Sequence, residues 1–127
     1  MDEAELKHRT KQFALRCMRL AEELPAGPSG RAIANQLVRS GTSVGANYRA
    51  ACRSRSPAEF VSKLATVEEE ADESAFWMEC IIEGGLQPEA KVRPLHDEAI
   101  AIVKIVVASI KSSRASQSKI ENPKSKI

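Results

Sequence analysis

Arginines are the side chains here whose type and spacing suggest a chemical role. Arg31, Arg39, Arg49 and Arg53 fall on one side of a helix read through QLVRSGTSVGANYRAACRSRS (residues 36–56), and Arg55 follows just beyond. A row of guanidinium groups suits phosphate oxygens, because each offers a planar fork of N–H donors and a permanent charge. These five positions are therefore the candidate RNA- or DNA-binding residues. Carboxylates compete for the same row. Between Leu24 and Glu59 the chain has arginines and no acids, whereas from Glu59 to Glu83 it has many acids opposed only by Lys63. Glu69, Glu70 and Glu73 are natural ion-pair partners for Arg39, Arg49 and Arg53, and their number favours that use over phosphate binding.

The other reactive side chains do not converge on a reaction centre. His8 and His96 stand alone without a Glu-x-x-His repeat, so they read as surface or helix-end residues and not as di-metal ligands. Glu68, Glu69, Glu70, Asp72 and Glu73 are nearly consecutive, and consecutive carboxylates point around a helix instead of meeting. No nucleophile elbow, P-loop or dinucleotide fingerprint is present. Cys17, Cys52 and Cys80 are odd in number, widely spaced and free of any C-x-x-C pair, as reduced thiols of a cytoplasmic protein would be. No catalytic residue, metal or cofactor is expected. Nor is there a stacking platform for bases, since Tyr48 lies on a core stripe and Trp77 on an acidic helix.

Helices must position these residues. The chain has 127 residues, 43% hydrophobic and 28% charged, with a formal net charge of +2. Those values suit one globular domain and do not by themselves demand a polyanionic partner. The most apolar run, Ala99–Ala108, is too short to span a bilayer and contains Lys104, so no membrane partner is expected. A first helix is predicted over residues 2–24, with Leu6, Phe13, Cys17, Leu20 and Leu24 as its stripe and Leu15 and Met18 on another face. The second should start from Ser29 as N-cap and reach residue 53 or 54. Its stripe is Ile33, Leu37, Val44, Tyr48 and Ala51, and its glycines, Gly41 and Gly45, call for a neighbouring backbone close by. Ser40, Ser43 and Asn47 form a short-chain flank suited to an oligomer interface that they would hold in register.

Ser56-Pro57 with Glu59 reads as the start of a third helix, running to about Glu83 on a stripe of Phe60, Leu64, Val67, Ala71, Ala75, Met78 and Ile82. Phe76 points away from that stripe and Trp77 lies to one side, which marks both as candidate contact residues. A last helix is predicted from near Pro88 to Arg114, beginning late or kinking at Pro94, with Leu95, Ala99, Ile102, Val106 and Ile110 inward. Ile100 and Val107 add apolar surface elsewhere and join the interface candidates. Residues 1–114 thus read as an all-α, antiparallel up-and-down four-helix bundle. Residues 115–127, where Ser-Lys-Ile recurs at Ser118 and Ser125, read as a low-complexity, disordered tail.

The stretch LVRSGTSVGANYRAA (residues 37–51) resembles the signature of a bacterial four-helix bundle family. Its members include proteins encoded in intervening sequences of 23S ribosomal RNA genes. A more distant relative is the accessory variability protein of diversity-generating retroelements. The likeness continues at Ser56-Pro57-Ala58-Glu59-Phe60 and at Phe76-Trp77, covers the chain except its tail, and is most specific between Arg39 and Arg49. It implies a ring-shaped homopentamer without catalytic activity. The retroelement relative is a basic pentamer that acts with a reverse transcriptase and nucleic acid, which makes such an enzyme a candidate partner here. Ala50 departs from the pattern, because many relatives carry Glu after the arginine. Two functions follow: an oligomeric accessory protein that contacts RNA or DNA, or a protein-only scaffold whose arginines serve subunit ion pairs.

Overall fold

The computed structural model describes residues 1–121, and it is built from helices, with no strand among the described residues. In chain order these are α1 (Glu3–Glu22), α2 (Pro28–Ala51), α3 (Pro57–Glu83) and α4 (Glu89–Glu121). The helix starts follow from capping chemistry. The Asp2 carboxylate accepts a hydrogen bond from the Glu5 amide at 2.8 Å, and the Ser56 hydroxyl accepts one from the Glu59 amide at 3.1 Å. α2 begins two residues earlier than Ser29-capping predicts, at Pro28 behind Gly27, with no side-chain cap. Pro28 suits that first helical position because its φ is preset and its missing N–H is one that no helix turn would satisfy.

α4 runs continuously through Pro94, near enough to the helix start that only the bond to the Ala90 carbonyl is given up. It also passes Arg114, the expected end, and reaches Glu121. No proline or glycine interrupts residues 115–121, so nothing there stops propagation. The remainder of the expected tail, residues 122–127, lies outside the described residues.

Each helix packs on its sequence neighbour, while α1 and α4 meet less closely. That last seam is held by Arg9, whose Nε and Nη2 donate to the Glu98 carboxylate at 2.6 and 2.8 Å. The core is built from Phe13, Leu37, Leu64, Met78, Ile81 and Ile102, all fully buried. Ile81, and not Ile82, completes the buried stripe of α3, and Ser74 joins it. Ile33, Phe60 and Leu24 sit at its margin, half-buried. His96 is buried at the α3–α4 seam, against its surface assignment, with Nε2 2.7 Å from Glu79 and Nδ1 3.4 Å from an Arg93 nitrogen. Among the described residues, no helix is long and apolar enough to cross a membrane.

α1 and α2 approach closely at the glycines of α2. A Cβ on Gly41 would stand 2.6 Å from both Cβ and Sγ of Cys17, and one on Gly45 would stand 3.3 Å from the Thr10 carbonyl oxygen. These two pairs, Cys17–Gly41 and Thr10–Gly45, fix the helices as antiparallel. Cys17 is fully buried, and burial pushes its thiol up to about 12.

Two outcomes follow from this seam. Gly41→Ala should destabilise the protein: the gain in helix propensity, about 1 kcal/mol, is outweighed by overpacking of roughly 1–3 kcal/mol, so the urea midpoint should fall. In the folded protein Cys17 should resist a thiol reagent and label only on unfolding. Native-state labelling of Cys17 as fast as that of the half-buried Cys80 would contradict the packing described.

Candidate nucleic-acid interface

The arginine row does not act as one surface. Arg39 turns onto α3, where Nη1 donates to Glu70 at 3.1 Å and Nη2 to Glu73, while its Nε donates to Gln36 at 3.1 Å. Glu73 also accepts from the Trp77 indole N–H at 3.0 Å. That N–H, followed by Arg39, holds the Glu73 carboxyl below the usual carboxylate range. Arg39 thus pairs with carboxylates of its own chain, the use that competes with phosphate binding. Arg31 donates to the Ala26 carbonyl at 3.0 Å, at the far end of α2. Arg49, Arg53 and Arg55 are exposed, and no acidic side chain pairs with their guanidinium groups among the described residues.

Sequence spacing could not reveal which residues of α1 join them. A groove of about 370 Å³ opens between α1 and α2, lined by Lys7, His8, Lys11 and Ala14 from one helix and Thr42, Gly45, Ala46 and Arg49 from the other. No carboxylate lines it. Lys7 pairs with Glu3 along its own helix at 3.3 Å, whereas Lys11 and Arg49 have no ion-pair partner among the described residues. The signal available beforehand was the glycine pair on α2, which demanded a close helix without saying which face of it.

The candidate interface residues also divide. Ser40 is fully buried within the single chain, its hydroxyl 2.9 Å from that of Ser74 on α3, so it packs this bundle and cannot meet a neighbouring copy. The Ser43 hydroxyl donates to the Arg39 carbonyl at 2.7 Å, and the Asn47 amide donates to the Ser43 carbonyl at 2.9 Å. Both are half-buried and satisfied by their own helix. Ile100 packs against the core margin, and Val107 is half-buried. Trp77 is half-covered by its own chain. Phe76 is the outlier: it is 52% exposed and meets Trp77 edge-on, with ring centroids 4.9 Å apart at 72°. Among the described residues, no group of three or more His, Cys, Asp or Glu side chains is placed to hold a metal.

A family model described as 23S rRNA-intervening sequence protein matches residues 2–108. The chain is also similar to a crystal structure of a protein of unknown function from the S23 ribosomal protein family of Bacteroides thetaiotaomicron VPI-5482. The two are 30% identical, the match covers 87% of this chain and 99% of that one, and the TM-score is 0.81. No curated protein matches.

The Glu73 network has a pH signature. A carboxyl whose folded value is depressed adds stability above its unfolded value, about 4.3, and loses it as pH falls through the lower folded value. The urea midpoint should therefore fall on acidification below about pH 4, and Glu73→Gln should flatten part of that fall. An acid limb identical in Glu73→Gln and wild type would exclude the carboxyl as a contributor.

Proposed function

The chain belongs to the 23S rRNA-intervening sequence protein family, and from that premise we propose that it is an oligomeric, non-catalytic accessory protein that binds RNA or DNA. The observation that carries the nucleic-acid part is the basic end of α2. The guanidinium groups of Arg53 and Arg55 are exposed without acidic partners among the described residues, and Arg49 lies one turn away beside Lys7 and Lys11 of α1. Cations left unpaired where the neighbouring helix is rich in acids are available to phosphates. The oligomeric part is supported by Phe76, a large aromatic left half in water by a bundle that has otherwise covered its core. In a closed ring, the pentamer that the family resemblance implies, each copy would repeat the basic end and the summed field would draw in a polyanion. A reverse transcriptase stands as a candidate partner through the retroelement resemblance alone. The free thiols of Cys17, Cys52 and Cys80 support a cytoplasmic setting.

A protein-only scaffold is the second reading, favoured by Arg39. Its pairing with Glu70 and Glu73 demonstrates that cations of α2 and acids of α3 fit one another. In that reading the remaining arginines meet carboxylates of neighbouring subunits.

Sedimentation velocity at micromolar concentration should give a species heavier than the 13.9 kDa monomer. Fluorescence anisotropy with a labelled RNA should show affinity that drops steeply between about 50 and 200 mM salt, and the double variant Arg53→Glu/Arg55→Glu should weaken it at least about tenfold. Absence of binding at low salt would leave the scaffold reading in place.

A further inference from the structure

We propose that the α1–α2 groove of one copy receives Phe76 of another, so that the chain self-associates head to tail. This rests on the oligomeric part of the function proposed above and adds the two surfaces involved. Neither surface is explained by the packing of a single chain.

The groove has the character of a socket. Its floor is apolar and shallow, made of Ala14, Gly45 and Ala46, because the close approach at Gly45 leaves no side chain to fill the space. Its rim is cationic, with Lys11 and Arg49 free of ion pairs among the described residues and Lys7 joined to Glu3 of its own helix. A cavity of about 150 Å³ already admits a benzene ring, and this groove offers about 370 Å³. The plug lies on α3. Glu69, Asp72, Phe76 and Glu83 are all exposed and follow one another at steps of three, four and seven, so they share one stripe of the helix surface. The stripe is an aromatic ring flanked on both sides by carboxylates.

Socket and plug match in two independent ways. The phenyl ring suits the apolar floor, and the flanking acids suit Lys11 and Arg49, the rim cations that single-chain pairing leaves unfilled. A nucleic-acid strand would satisfy the rim but leave Phe76 in water, which is why a second copy is the better occupant. The contact joins two different patches, so it is heterologous, and repetition closes a ring or extends a filament. Arg49 then serves the neighbouring subunit, while Arg53 and Arg55 remain on the outside for phosphates.

Charge reversal with rescue tests this. By sedimentation velocity, Lys11→Glu and Asp72→Lys should each weaken self-association at least about tenfold, and the Lys11→Glu/Asp72→Lys double variant should recover most of the loss. Phe76→Ala should weaken it, and Ala46→Trp, which fills the socket, should do the same. Circular dichroism and the thermal midpoint verify that each variant is folded. A wild-type monomer would remove the oligomeric reading and this inference together. A wild-type oligomer that survives all four single substitutions would overturn the docking and keep the oligomer. Loss of RNA binding in Lys11→Glu with assembly unchanged would assign the groove to nucleic acid and overturn the inference as well.

Discussion

The close approach of α1 and α2 is the constraint on which the rest of this molecule depends. Gly41 lets the helices come nearer than a side chain there would allow, with Cys17 filling the space opposite, and Gly45 leaves only a tight fit against the Thr10 carbonyl. Close helices bury more dispersion contacts per turn, which offsets the helix propensity that two glycines give away. The same approach has a surface consequence. Where Gly45 and Ala46 face Ala14, the outer seam lacks bulk and becomes a groove, and the long basic side chains of both helices form its rim.

Charge is distributed by the packing of α2 on α3. Arg39 sits where the acids of α3 are within reach, and it is joined there by Glu70, Glu73 and, through Glu73, by the Trp77 indole. The arginines nearer the C-terminal end of α2 have no such partners. An apparently uniform basic row is therefore two environments: one paired with the acids of α3 and one exposed without acidic partners for its guanidinium groups among the described residues. The energy of the exposed pairs is modest, so their importance lies in which cations they neutralise.

Apolar surface is distributed with the same unevenness. Ile100 and Trp77 fold back onto the core margin, and Ser40 is absorbed into the α2–α3 seam. Phe76 alone among the aromatics stays half in water, flanked by exposed acids.

Much of this was legible in the residues. Apolar spacing determined the helices and nearly every core position, and Ser56-Pro57-Ala58-Glu59 announced the start of α3 through its local capping chemistry. The signature around Arg39–Arg49 pointed to the family that the comparison supports. These features are local or periodic, so a linear string contains them. Tertiary structure alone decided that Ile81 and not Ile82 is buried, that Ser40 and His96 belong to interior seams, and that Lys7 and Lys11 stand beside Arg49. The physical reason is the same in each case: helical periodicity specifies which side of a helix is apolar, but only the rotation and offset of two packed helices decide which flanking side chains meet.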